Sequence, residues 1–274
     1  MVNIAPTARY LLTRWLFPLL LFCLHAALMP ARASATDQPI RFATLDWAPF
    51  SGNLPAGGSA GAIMASAYEK LGQSMVSIVL PWKRAVSLGM DGEGMVGFYP
   101  SSPMECASAG GELSRLPIGH YQFALAQREV SPFTWEKPAD LSQIRIGIVD
   151  GYDNGPLING LREAGSLVTE LAQSDLVNLR KLQAGRIDAA VIEISQFAIM
   201  APALNQAAAA TGVSRLTLNP RPLGPADAIH ACFNHSAMAK SARTQLDEGL
   251  TGLDVSALQA SYMARHVPEL NPTN

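Results

Sequence analysis

The stretch "LRKLQAGRIDAAVIEIS" (179–195) decides how this chain is read. A helical run closes at a glycine, an apolar strand follows, and polar residues stand at the strand's C-terminal end. The same plan occurs earlier, in "RAVSLGMDGEGMVGFYPSS" (84–102). Two units with one local plan predict two α/β lobes, each with its own sheet.

Outward from these units, strands and helices alternate with short breaks. Strands are expected at 40–45, 75–80 and 95–100, then as one amphipathic strand at 119–128 after a long irregular piece. A second series gives strands at 145–150, 167–172 and 187–193, with late strands in "VSRLTLNP" and "DAIHACFN". Helices lie between them, and two more finish the chain. The first is expected to start at Ser59 as N-cap and to close at Gly72; the second carries Pro81 in its first turn, and the third starts near Pro156. The Ala207–Ala210 run reads as a helix end, because Gly212 follows it.

Residues 1–35 read as a secretory leader. Arg9 and Arg14 precede the apolar "LFPLLLFCLHAALM", and "ARASA" offers small residues for cleavage after Ala33 or Ala35. Pro18 and His25 interrupt the run, which is short for a membrane span of about 20 residues. Cys23 lies mid-run behind bulky Phe22, so lipidation is not expected. A periplasmic, unanchored chain follows as the expectation. The leader holds three of the 20 Lys and Arg residues and none of the 22 Asp and Glu, leaving 17 basic against 22 acidic side chains. That mildly acidic balance has no electrostatic footprint for nucleic acid. Cys106 and Cys232 remain outside the leader; they either pair or stay as buried thiols.

Ligands of open α/β sheets collect outside the carboxyl ends of the strands. Those ends are 46–50, 82–84, 99–102, 151–154 and 193–195. In "LDWAPFSG" (45–52), Pro49 stops the strand between two large aromatics. Trp47 is expected as the wall of a site, against the alternative that Trp47 and Phe50 plug the core. Trp82 and Arg84 open a helix, where an arginine does not suit the dipole. Ligand contact and a solvated ion pair both fit Arg84. Glu193 ends an apolar strand and must be solvated, paired or bound. It either meets a ligand ammonium or caps the next helix. "HACFNH" (230–235) lacks the further ligands a zinc site needs, so strand packing is expected there. "GEGMVG" (92–97) has the letters of a dinucleotide loop, but the glycines enter a strand and do not open a helix. No nucleophile or metalloprotease signature occurs.

In order, "IRFATLDWAPFSG", "EKLGQ", "LPWKRAVSLG", "FYPSSP", "HYQFALAQR", "DLSQIRIGIVDGYDNG", "LQAGRIDAAVIE" and "DAIHACFN" span nearly all of the chain after the leader. This series resembles the extracellular solute-binding proteins of the polar-amino-acid transporter type, and "PWKRA" is similar to a proteobacterial branch of them. The resemblance implies a two-lobed periplasmic-binding-protein type II fold, each lobe a mixed sheet flanked by helices, joined by hinge strands at 119–128 and 226–234. Lobe 1 would hold 36–122 and 230–274, and lobe 2 would hold 123–229. Trp47 would lie against the ligand, Ser101 and Ser102 would cap its carboxylate, and Glu193 would meet its α-amino group. Asp46, Phe50, Trp82, Arg84, Tyr99, Tyr152, Asp153 and Asn154 complete the expected ligand-binding set.

Two departures qualify the ligand. Such proteins usually carry a Thr-Pro-Glu-Arg segment whose arginine grips the α-carboxylate; this chain has "SSPMECA" (101–107) instead. "GYDNG" (151–155) makes the facing wall bulkier and more acidic than a small Gly-Thr turn. The expected function is therefore the binding of a small polar solute by a monomer without cofactor, for delivery to an ABC transporter permease. A ligand sensor docking to a membrane signalling protein is one alternative. The other is an enzyme like the cyclohexadienyl dehydratases, with Glu193 as general acid.

Overall fold

A computed structural model describes residues 38–267 together with Met1; the expected leader lies outside the described residues. After it, β1 (Ile40–Thr44), α1 (Gly58–Glu69), β2 (Met75–Val79), α2 (Trp82–Asp91) and β3 (Gly97–Ser101) form a parallel βαβαβ unit. Its strands are short apolar runs, as a sheet covered on both faces requires. The long piece expected to be irregular folds partly into α3 (Pro103–Ser108) and β4 (Glu112–Leu113), followed by β5 (Gly119–Tyr121). β11 (Asp227–Phe233) returns antiparallel to β3, β4 and β5. The first sheet thus has the order β2-β1-β3-β11-β4, with β5 also on β11. α7 (Ala237–Leu250) and α8 (Val255–His266) complete this lobe.

The second sheet has the order β10-β6-β9-β7-β8. β6 (Phe123–Arg128) leads into β7 (Arg145–Val149), α4 (Gly155–Glu163), β8 (Val168–Ala172), α5 (Asp175–Gln183), β9 (Ala189–Glu193), α6 (Ile194–Thr211) and β10 (Leu216–Leu218). β7 pairs parallel with β8 and β9, whereas β6 pairs antiparallel with β9 and β10. Both sheets are mixed and helix-flanked, and both fall in one unit that begins at Pro39. No described helix is long and apolar enough to cross a membrane.

Two expectations need correction. The strand at 119–128 is two strands in different sheets: Tyr121 pairs with Asp227 and Phe123 with Glu193. Gln122 sits between them, its side-chain amide donating to Gly224 O at 2.8 Å. Ser59 is not an N-cap. It lies inside α1, and the first helical N–H groups donate to the turn before them, Ser59 N to Pro49 O (2.9 Å) and Ala60 N to Phe50 O (3.0 Å). Backbone carbonyls of the "WAPF" turn satisfy the donors that a cap side chain would otherwise take.

The first core gathers Phe42, Met64, Tyr68, Tyr99, Phe233 and Leu246 between sheet and helices, with Phe42 edge-on to Phe233 at 5.4 Å. Separate clusters cover the two faces of the second sheet. On the other face of the first sheet, Cys106 and Cys232 form a disulfide among Ala43, Ala85 and Phe98. Close approach of α7 to α1 depends on Gly249, where a Cβ would run into the carbonyl of Ala67. Backbone cannot give way as a flexible side chain does, so Gly249→Ala is expected to cost about 3 kcal/mol. A urea melt reads this as a lower midpoint at unchanged slope; an unchanged midpoint would mean the helices separate freely.

Candidate functional site

A cavity of about 50 Å³ opens where the carboxyl ends of both sheets face each other. That room suits a few water-sized groups. Leu45, Trp47, Trp82, Pro100, Ser101, Ser102, Glu105 and Ile229 line it from the first sheet and its loops. Tyr121 and Phe123 come from either side of the crossing at Gln122, and Tyr152 and Asp153 from the loop after β7.

The aromatic wall starts at the turn after β1. Trp47 N and O exchange bonds with Ser51, and Phe50 N donates to Trp47 O at 2.9 Å. This tight loop holds the Trp47 ring 4.6 Å from Phe50 and 5.8 Å from Tyr121. Tyr121 packs edge-on to Phe123 at 5.1 Å, and Trp82 edge-on to Phe98 at 5.5 Å. Edge-to-face packing of this kind fixes ring orientation as well as burying area.

The polar wall is built by α3. Ser102 caps it: Glu105 N donates to Ser102 Oγ and Ser102 N donates to Glu105 Oε2, both at 3.2 Å. This reciprocal capping box occupies the backbone N–H groups of both residues. Ser102 Oγ donates across the cleft to Asp153 Oδ2 at 2.6 Å, while Asp153 Oδ1 accepts from Gly155 N (2.9 Å) and Asn159 Nδ2 (2.6 Å). Burial, reinforced by the Asp153 charge, pushes the Glu105 carboxyl up to about 7. Burial raises the Tyr121 and Tyr152 hydroxyls too, and nearby carboxylates add to both shifts.

Of the residues expected at the site, Trp47, Trp82, Ser101, Ser102, Tyr152 and Asp153 line the cavity. The others lie elsewhere. Phe50 is fully buried behind Trp47, and Tyr99 points into the core with its hydroxyl 2.7 Å from Ser77 Oγ. Asp46 is exposed, accepts from Asn53 N at 3.0 Å and lines an adjoining cavity that shares Trp82 and Tyr152. Asn154 is buried and donates to Tyr152 O, steadying the loop. Arg84 is exposed on α2, because the helix turns it away from the cleft. Glu193 is buried as the N-cap of α6: Oε2 accepts from Gln196 N at 2.9 Å, and Oε1 from Gln122 N and Ser195 Oγ, each at 3.4 Å. Both of its carboxyl oxygens are taken up at the crossing and the start of α6, away from the cavity lining.

Sequence reasoning missed Glu105, Tyr121 and Phe123. Glu105 had a signal, the S-x-x-E spacing from Ser102 that marks a capping box. Tyr121 and Phe123 stand two apart, which puts alternate strand residues on one face.

No family model matches the chain, and no curated protein matches it. Solved structures do. The ancestral amino acid-binding protein AncCDT-1, a precursor of cyclohexadienyl dehydratase, superposes with a TM-score of 0.60 at 11% identity, over 84% of this chain and 95% of that one. The substrate binding protein of an amino acid ABC transporter gives 0.60 at 15% identity, over 84% and 99%. The VFT2 domain of Bordetella pertussis BvgS gives 0.64 at 16% identity, over 84% and 93%. With two mixed, helix-flanked sheets of this topology, the chain has the two-lobed periplasmic-binding-protein fold.

Proposed function

We propose that this protein binds a small polar solute in the periplasm by hinge closure and hands it to an ABC transporter. One observation carries the reading: the cavity is lined by side chains from both sheets, at their strands' carboxyl ends. A solute there touches Trp47 and Ser102 on one side and Tyr152 and Asp153 on the other, so its contacts favour the closed arrangement. The two chain crossings, near Gln122 and between β10 and β11, are the places where closure bends the backbone. The Cys106–Cys232 disulfide supports an oxidising compartment, as the expected leader does. The likeness to the substrate binding protein of an amino acid ABC transporter supports the delivery step at the level of fold.

Native mass spectrometry of the purified protein tests the reading. A co-purifying small molecule, or stabilisation by a member of an amine, amino-acid and organic-acid panel, is the expected result. At a hundred times Kd, binding adds about 2.7 kcal/mol, so silence across the panel would sink the proposal.

One observation favours a second reading, catalysis of the dehydratase kind: Glu105 titrates near 7 inside the cavity, in the range of a general acid. Against it, no Lys, Arg or His lines the cavity to clamp a substrate carboxylate. Purified protein is expected to leave prephenate and arogenate unchanged; turnover of either would establish the enzyme reading instead.

A further inference from the structure

We propose that the cleft takes a small organic cation, an ammonium group with no carboxylate requirement, held among Trp47, Trp82, Tyr121 and Tyr152 and neutralised by Glu105 and Asp153. The inference rests on the binding reading above and names the ligand class of the same site.

Charge is the first argument. The cavity has two carboxylates among its lining side chains and no cationic one. Of the cationic side chains on α2, Arg84 is exposed, and Lys83 lines the adjoining cavity that shares Trp82 and Tyr152, where its Nζ is already paired with Asp150 Oδ2 at 2.7 Å. An α-amino acid would bring its carboxylate against Glu105 and Asp153 without an arginine fork to hold it. The Ser102 and Glu105 N–H groups give no substitute, since the capping box already uses both. The Ser101 and Ser102 hydroxyls already donate within the protein, and the other neutral donors of the lining, the Tyr121 and Tyr152 hydroxyls and the Trp47 and Trp82 indole N–H groups, carry no charge to replace an arginine fork.

Shape and field point the same way. Aromatic rings approach the cavity from the turn after β1, the start of α2, the crossing and the loop after β7, an arrangement that receives a cation on several sides. Carboxylates dominate the local field. Burial is the main cause that raises the Tyr121 and Tyr152 hydroxyls, and carboxylates add to it, Asp153, Asp227 and Glu105 at Tyr121 and Asp175, Glu105 and Asp46 at Tyr152.

Glu105 adds a signature. Asp153 and Tyr152 face it from the loop after β7 and Tyr121 from β5, while on α3 the other ionisable side chain, Cys106, is in the disulfide. With its carboxyl near 7, a bound cation favours the ionised form, so affinity rises with pH through that value.

Calorimetry on the full mature chain with choline, tetramethylammonium and 1,4-diaminobutane tests the assignment. Glutamate, acetate and 3,3-dimethylbutanol, the neutral isostere of choline, serve as the other arms. At least one cation is expected to bind, with the neutral isostere ten-fold or more weaker. Affinity should weaken up to about ten-fold from pH 8 to pH 6. Glu105→Gln should remove that dependence, and Tyr152→Ala should weaken binding about ten-fold at a temperature where the variant is still folded. Binding of glutamate or acetate without any cation would overturn the ligand class and leave the binding reading standing. Equal affinity for choline and its isostere would also overturn it. Silence in every arm would overturn this inference, while the native mass spectrometry and wider panel above decide the binding reading separately.

Discussion

Replacing both bridged cysteines, Cys106→Ala with Cys232→Ala, is expected to lower stability by about 4–5 kcal/mol. The partners stand 126 residues apart, and the entropy that a cross-link removes from the unfolded chain grows with the loop it closes. In a chain of this size, about 2–4 °C is lost per kcal/mol, so the melting temperature should fall by roughly 8–20 °C. The loss extends to the site. Cys106 lies on α3, one residue beyond Glu105, and Cys232 on the returning strand β11, so the bridge clamps the polar wall to the sheet. The double variant should therefore bind its ligand more weakly even below its melting temperature. Both sulfurs are buried, which makes the variant a cleaner test than added reductant. An unchanged melting curve would mean that packing around Phe98 and Ala85 holds the segment without the bond.

Elements legible in the sequence were those fixed by local pattern. "IRFAT", "RIGIV" and "AAVIE" are apolar runs bounded by turn residues, because their sheets are covered on both faces. The repeated plan at 84–102 and 179–195 foretold two sheets. What local pattern misses is decided by distant partners. Gln122 breaks the strand at 119–128 because Asp227 and Glu193, from different sheets, compete for its neighbours. Ser59 lost its cap role to carbonyls of the preceding turn. Trp47 and Phe50 share one turn and one chemistry, yet one faces the cavity and the other the core, a choice made by α1 packing beneath. Arg84 and Trp82 are two residues apart on a helix, about 200° around its axis, so a site that takes Trp82 turns Arg84 outward.

Glu193→Ala is expected to destabilise the protein by about 3 kcal/mol. The substitution removes the cap of α6 and strands the buried N–H groups of Gln196 and Gln122. Glu193→Gln keeps an acceptor for Gln196 N and should cost less than about 1 kcal/mol. The pair also separates charge from hydrogen bonding. Burial raises the Glu193 carboxyl to about 7, against which the bonds from Gln196, Gln122 and Ser195 pull it down. A carboxyl raised on folding binds its proton more tightly in the native state, so its contribution is full below the unfolded value of about 4.5 and is lost as pH rises through 7. Glu105, near 7, and Asp175, raised to about 6 by burial, act in the same direction. Native protein should therefore lose stability from pH 5 to pH 8, and Glu193→Gln should lose less over that interval. Melting temperatures at the two pH values read the difference. Equal slopes for the two proteins would mean that Glu193 is already ionised at pH 5, with its charge carried by the three donors around the crossing. The crossing would then be anchored by a fixed charge, and its stiffness, unlike the affinity of the cavity, would not change with pH.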